Sequence, residues 1–545
     1  YYLIQAARTF QSLAEIAPVK GASGIVTAEF CGKKLIDIRK HLGSSLQKCL
    51  KSFKCEAQKG EFDHTLNKAW DELSPEIQSD LLTYLKADVM GLAELSDKFH
   101  HACMQNYGCS WIEFISTSQM TYGVWTNWIK DEYLAEGKIQ IPNEPQWAFI
   151  QKSIYGGRTQ LHRKNFTSES YTDAMAEIKE GRMTAESFNR IQDYLIDADV
   201  VSLYPTAMLE QFPLGSTRRV EEWEEGKLGI YYVHYTPNKK ILTPVLPTHR
   251  EGKTCWDLLP GEGVYTSVDL ETARSFGYTF TVKNGIVWEE KGFVFKNYIE
   301  EMFTRKESAV KDSPAYTLAK LFMNGLYGKT IQRPRYEKTF FIKEGSDWNK
   351  ILPKYYITSI DSASFDDIWI VTGEIKDPVK RAEAITKPSQ LGAFVLAYSR
   401  RIMLEKIKAM NPHEEISKQF YYTDTDSLQV HQSILKEAGI PINGKKLGEL
   451  SNDLLKDGML EVKIIRGVWV APKMYTLQYI AKMEDGTFAL KEHRVGKGVK
   501  KINNVIPFTL ENYEHMSWGG TIAVSYTHLR AHETKANLVC RLLLE

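Results

Sequence analysis

The segment Tyr422-Thr423-Asp424-Thr425-Asp426-Ser427 sets two carboxylates one residue apart inside the apolar run 420–430. Residues i and i+2 of a strand share one face. The spacing predicts a β-hairpin with both acids at its tip. Like charges held that close repel unless a cation sits between them. Hard divalent cations such as Mg²⁺ take oxygen ligands, so the pair reads as a metal site. A third carboxylate would complete a two-metal centre for phosphoryl transfer. Asp199 offers one, within Ile196-Asp197-Ala198-Asp199-Val200-Val201-Ser202-Leu203-Tyr204-Pro205. It lies near the end of an apolar strand, 195–201, which turns into a helix beginning near Thr206. The free N–H groups of such a helix start favour a phosphate. Taken alone, either segment has a plainer reading, as an Asp that caps a helix or a turn.

A second stretch, Lys320-Leu321-Phe322-Met323-Asn324-Gly325-Leu326-Tyr327-Gly328, reads as helix. Lys320, Asn324 and Tyr327 then fall on one face. A lysine, an amide and an aromatic hydroxyl along one stripe suit a triphosphate, a sugar and a base. Arg305, Lys306 and Lys311 extend the cationic face upstream. In Lys473-Met474-Tyr475, strand alternation puts both polar residues on one face. Arg494, Lys497, Lys500 and Lys501 form a basic cluster that suits a duplex backbone. Each of these could equally be solvated surface.

The elements that must carry these residues alternate in type. Residues 1–128 are mainly helical in pattern, with Ser74-Pro75 as a helix start. Pro142, Asn143 and Pro145 mark a linker leading to Tyr155-Gly156-Gly157-Arg158. Residues 220–287 read as strands, 296–329 as a helical pair broken near Ser313-Pro314, 336–375 as strands, and 391–410 as a helix. The hairpin and further strands to residue 490 come after it. This order fits an α+β multidomain protein, and 545 residues allow roughly three to five domains. The net charge of +1 requires any basic surface to be local. Seven cysteines without C-x-x-C spacing argue against zinc and for a reduced, intracellular protein. No apolar run approaches a transmembrane length, so no membrane partner is expected.

Asp-x-x-Ser-Leu-Tyr-Pro (199–205), Lys-x-x-x-Asn-x-x-Tyr-Gly (320–328) and Tyr-x-Asp-Thr-Asp-Ser (422–427), in this order and with a downstream Lys-x-Tyr, resemble the motifs of family B DNA polymerases. Tyr155-Gly156-Gly157-Arg158 is similar to the Tyr-x-Gly-Gly element that joins exonuclease and polymerase domains there. The resemblance runs from about residue 32 to about residue 519. It implies a right-hand polymerase with palm, fingers and partial thumb, plus a partial RNase H-like exonuclease domain. The implied division is exonuclease 1–140, linker 141–165, palm 166–215, insertion 216–298, fingers 299–335, second insertion 336–385, palm 386–480 and thumb 481–523.

The resemblance also implies roles. Asp199, Asp426 and the Val200 carbonyl would hold two Mg²⁺ ions (or Mn²⁺), with Asp424 as the nearby third carboxylate. Lys320, assisted by Lys306 or Arg305, would hold the incoming deoxynucleoside triphosphate. Ser202, Leu203 and Tyr204 would line its sugar, Tyr204 excluding a 2′-hydroxyl. Asn324 and Tyr327 would border the nascent base pair. Tyr155, Gly156, Gly157, Arg158, Thr425, Lys473 and Tyr475 would contact primer-template DNA. Gly325 departs from the family, which usually has Ser after the Asn, so a polar contact is lost there.

The long segments between motifs resemble the two insertions of protein-primed polymerases from phages, viruses and linear plasmids. They imply a terminal-protein primer and a viral or plasmid-encoded monomer working in host cytoplasm, nucleus or organelle. Tyr84-x-x-x-Asp88 is similar to the third exonuclease motif, with a metal ligand one turn from a tyrosine. The earlier exonuclease motifs are not found upstream, and Asp269-Leu270-Glu271 has the first spelling in the wrong place. Proofreading is therefore expected to be absent. Residues 524–545 resemble a translated sequencing adapter, and the chain starts at Tyr1 rather than Met, so a gene fragment is expected. Two other readings stay open: an oligonucleotide-primed viral polymerase of the same family, and a catalytically dead DNA-binding remnant.

Overall fold

The computed structural model describes residues 19–21, 24–30, 33–63, 72–250, 253–311, 313–343, 348–362, 368–415, 418–497 and 509–521. The adapter-like segment 524–545, Lys500 and Lys501 lie outside them. The chain divides into two compact units.

The first unit comprises the described parts of 1–148 together with Leu214–Ser216 and Gly292–Gly392. Its first described residues are not helical: Val19–Gly21, Gly24–Phe30 and Lys33–Ile36 form an antiparallel sheet. Helical periodicity does govern the chain beyond that sheet. Pro75–Tyr107 is one helix of 33 residues, begun by Ser74, whose hydroxyl accepts from the Ile77 N–H at 3.4 Å. Gly108, at φ +63°, ends it in the left-handed region that glycine tolerates. The expected linker proves to be the start of a capped helix, Glu144–Gln151. Asn143 accepts from the Gln146 N–H at 3.0 Å, and Gln146 returns the contact to Asn143 at 3.1 Å. The helical pair is Lys296–Ser308 and Pro314–Asn324, with Ser313 capping the second. Strands Glu337–Lys343, Ile368–Ile375 and Tyr355–Ser362 make a separate antiparallel sheet.

The second unit comprises Phe149–Pro213, Thr217–Lys291 and the described part of Ala393–Glu545. A nine-stranded sheet organises it. The order across the sheet is Phe488–Gly496, Met474–Met483, Met459–Ala471, Leu195–Val200, Ser427–His431, Phe420–Asp424 and Thr159–Leu161. Leu450–Asn452 also pairs with Leu195–Val200, and Asn165–Thr167 with Met459–Ala471. One face of the central strands, Ile196, Ala198, Val200, Leu428 and Val430, packs on Met403, Ile407 and Met410 of the helix Ser389–Met410. That fixes which residues of the same strands are left for the opposite face.

Gly261–Thr266, Gly229–Thr236, Thr279–Gly292 and Phe212–Val220 form, in that order, a four-stranded sheet, accompanied by the helix Ser267–Ser275. The Asp269 carboxylate is buried there in a two-pronged bond to Arg400, 2.9 Å on each oxygen, and Arg400 also donates to the Tyr155 carbonyl. Asp269-Leu270-Glu271 is thus structural cement.

Candidate active site

Asp199 sits one residue before the end of Leu195–Val200, in register with Ser427 of the neighbouring antiparallel strand. The Val200 N–H donates to the Asp426 carbonyl at 2.8 Å. Asp199 and Asp426, distant in sequence, are thereby brought side by side by strand pairing. Burial raises the Asp199 carboxyl to about 8, with Asp426 and then Asp453 adding repulsion. Burial also raises Asp426. Two half-buried carboxylates that resist ionisation together are poised to bind a divalent cation.

Asp424 behaves differently from the expectation. Phe420–Asp424 and Ser427–His431 are joined by Thr425-Asp426, with Thr425 at φ +64°, so a turn separates the two acids and they do not share a strand face. The cation beside Asp424 is Lys473, which pairs with its carboxylate. Asp424 also accepts from Thr159 at 3.1 Å and from the Tyr422 hydroxyl at 3.2 Å. Lys473 itself is in a turn, at φ +64°, so it and Tyr475 are not neighbours on one strand face. Tyr475 is buried, its ring 5.2 Å from that of Tyr422.

The Tyr155-Gly156-Gly157-Arg158 element braces the hairpin from below. Tyr155 is buried and stacks on His249 and Tyr265. Arg158 is buried, donating to Gln160 at 2.8 Å and to the Pro244 carbonyl at 2.9 Å. Neither side chain is exposed for a phosphate. Gly156 is exposed. Gly157 lies against Thr425, and the Thr425 N–H donates to the Arg158 carbonyl at 2.7 Å.

After Val200 the chain leaves the strand at Ser202, φ +54°, and the helix Leu203–Ala207 begins earlier than expected. Leu203 is 2% exposed and anchors in the core with Ile196 and Met403, so its side chain is not a nucleotide contact. Tyr204 is half-buried.

In the first unit, Lys320 and Asn324 are exposed on Pro314–Asn324, and Asn324 donates back to the Lys320 carbonyl at 2.9 Å. The helix stops there, and Tyr327 opens a separate short one, Tyr327–Thr330, so the three residues do not form one continuous stripe. An added Cβ at Gly325 would meet Thr121 Oγ1 at 3.3 Å and the Leu321 carbonyl at 2.9 Å, so the helix break is closely packed. Arg305 bonds Glu301 at 2.7 Å and the Asn106 carbonyl, and covers the Tyr107 ring. Lys306 pairs with Glu307 at 3.0 Å. Tyr84 and Asp88 are hydrogen-bonded to each other, and Asp88 also accepts from the Gly60 N–H at 3.2 Å.

Residues 42–175 and 181–412 match the family described as DNA polymerase type B, organellar and viral. This chain belongs to that family. A DNA polymerase of Kluyveromyces lactis is 23% identical over 484 residues, covering 84% of this chain and 42% of its relative. A probable DNA polymerase of Neurospora intermedia is 21% identical over 85% of this chain and 44% of its own. The chain thus spans less than half the length of these two relatives. The fold is that of Phi29 DNA polymerase in its ternary complex with primer-template DNA and incoming nucleotide, at TM-score 0.66, 17% identity and 94% coverage of this chain against 84% of the other.

Family B polymerases generally use Mg²⁺. Among the described residues no set of three or more His, Cys, Asp or Glu stands close enough to cage a metal by itself. Mg²⁺ does not require that, since it is commonly held by one or two carboxylates with water and substrate phosphates. Asp199 and Asp426, in no ion pair among the described residues, fit this mode, and Asp424, paired with Lys473, fits it less well. Among the described residues no helix is long and apolar enough to cross a membrane.

Two buried groups on this face escaped the sequence reading. Asp197 is 4% exposed, and burial raises its carboxyl to about 7, with Asp453 adding repulsion. Gln429, its register partner, is fully buried. The i, i+2 rule applied to Asp424 and Asp426 holds instead for Asp197 and Asp199, which lie on an unbroken strand.

Proposed function

We propose that this chain extends a primer 3′-hydroxyl with deoxynucleotides on a DNA template. Asp199 and Asp426 would hold Mg²⁺, with the Val200 carbonyl as a further ligand. The bound cation lowers the cost of ionising the primer hydroxyl and offsets charge on the leaving pyrophosphate. The chain's own contribution is to hold the two carboxylates at adjacent strand ends and to screen Asp424 with Lys473. Lys320 and Asn324 supply an exposed cation and amide for the triphosphate and the base pair. Tyr204 lies five residues after Asp199, in the helix Leu203–Ala207 that follows the strand, where it selects against a 2′-hydroxyl. Priming by a terminal protein is part of the proposal, supported by the organellar and viral family and by the likeness to Phi29 DNA polymerase.

The observation that carries this reading is the pairing of Leu195–Val200 with Ser427–His431, which sets Asp199 beside Asp426. Primer extension with Mg²⁺ tests it. Asp199→Ala and Asp426→Ala should each abolish incorporation without loss of fold. Wild-type extension that persists in either variant defeats the mechanism. Extension from a protein hydroxyl, compared with an oligonucleotide, separates the two priming modes.

A further inference from the structure

The strands that bear Asp199 and Asp426 are also tied together one pleat deeper, by side chains. Gln429 and Asp197 are register partners on those two strands. The Gln429 amide Nε2 donates to Asp197 Oδ2 at 3.2 Å. Its Oε1 accepts from the Trp469 indole N–H at 2.6 Å. The Tyr475 hydroxyl is hydrogen-bonded to the same amide. Trp469 is held in place by its own strand, because Gly467 leaves room for its ring. A Cβ there would stand 2.3 Å from the indole.

A carboxamide suits this position for a chemical reason. One end donates and the other accepts, so it can join an indole N–H to a carboxylate. Among the described residues, Asp197 receives no other side-chain hydrogen bond, and its Oδ1 has no partner. All three groups are buried, so no water competes for these bonds. Through them Gln429 reaches three other strands: Leu195–Val200 by Asp197, Met459–Ala471 by Trp469 and Met474–Met483 by Tyr475. The last comes directly after Lys473, the partner of Asp424.

We infer that Gln429 is a positioning residue for nucleotide incorporation, its amide stapling the Asp199 strand to the Asp426 hairpin and both to the Lys473–Tyr475 turn. It touches no reacting atom. It sets the rotation of the two strands about their shared ladder, and so the separation of the carboxylates at their ends. This inference rests on the polymerase reading for its kinetic part alone.

The test uses Gln429→Met, which keeps the volume and removes the amide, and the exchange Asp197→Asn with Gln429→Glu. In the exchanged pair the Asn amide donates to the Glu carboxylate, which still accepts from Trp469. The bond returns with its polarity reversed. Mn²⁺ binding is monitored by electron paramagnetic resonance, and single-nucleotide incorporation by rapid quench. Folding is checked by circular dichroism.

Gln429→Met should weaken Mn²⁺ binding about tenfold. It should lower kcat about a hundredfold, as a misplacement near 1 Å does. KM for nucleotide should move less than threefold. The exchange should restore metal affinity and most of kcat. A folded Gln429→Met variant with unchanged Mn²⁺ affinity overturns the inference. So does an exchange no better than Gln429→Glu alone. Because Mn²⁺ binding needs no turnover, a wild-type protein that binds Mn²⁺ yet fails to extend primers would defeat the polymerase reading and leave this one to be judged by the metal titration.

Discussion

Replacing Gly157 by alanine should slow nucleotide incorporation by way of Thr425, against which Gly157 packs. An ideal Cβ at Gly157 would lie 2.6 Å from Thr425 Cγ2, 2.9 Å from its Oγ1 and 3.0 Å from its Cα. Carbon atoms in contact settle at about 3.5–4.0 Å. The hairpin tip must therefore retreat by about 1 Å. It cannot swing away freely, because the Thr425 N–H is bonded to the Arg158 carbonyl at 2.7 Å. The residue after Thr425 is Asp426, so the retreat carries with it the carboxylate proposed to hold Mg²⁺. A displacement of this size costs about a hundredfold in rate, while overpacking costs about 1–3 kcal/mol of stability. Single-turnover incorporation with saturating Mg²⁺ reads the first, and urea unfolding the second. Combining Gly157→Ala with Thr425→Gly removes the two closest atoms at a position whose φ of +64° glycine accepts. That pair should recover part of the rate. A Gly157→Ala variant that incorporates within threefold of wild type would refute the account of the hairpin brace.

The same geometry sets three further outcomes. Asp199 is raised to about 8 in the fold against an ordinary value near 4, so the metal-free fold favours its protonated form. The stability this contributes is present below about pH 4 and is lost as pH rises through 8. In EDTA, melting temperature should fall between pH 5 and 8, Asp199→Asn should flatten that fall, and Mg²⁺ should raise the wild-type midpoint more at pH 8 than at pH 5. Arg400→Met leaves the Asp269 carboxylate buried and unpaired, which should cost about 3–5 kcal/mol by denaturant titration, and adding Asp269→Leu should return much of it. Tyr204→Val should increase incorporation of ribonucleotides relative to deoxynucleotides by about tenfold or more, read from parallel primer extensions.

The strands and helices that carry the candidate site were largely legible, because period-2 and period-3.6 patterns survive wherever one face is buried. Leu195–Val200, the hairpin and Ser389–Met410 all fall where their apolar spacing indicates. What the pattern could not give was the fate of polar side chains. The resemblance implies a DNA contact at Arg158, and in the fold its guanidinium bonds Gln160 and a carbonyl. The rule that put Asp424 and Asp426 on one face failed because Thr425 adopts a left-handed turn. Asp197 and Gln429 were hidden for the converse reason. Each sits in an apolar run where a buried polar residue leaves no periodic trace, and only register shows that they face one another. In the sheet at Val19–Ile36, the outer strands Val19–Gly21 and Lys33–Ile36 are too short to leave an alternating pattern.

The two-pronged bond between Arg400 and Asp269 has a practical consequence for engineering. It moors residues 217–291 to the helix that underlies the central sheet, so that region is not a detachable module. A shortened protein lacking it would leave the Arg400 guanidinium with the Tyr155 carbonyl and without its carboxylate partner, and swapping in a foreign loop without an acid there would do the same. Any such deletion needs a neutral side chain at position 400 from the outset.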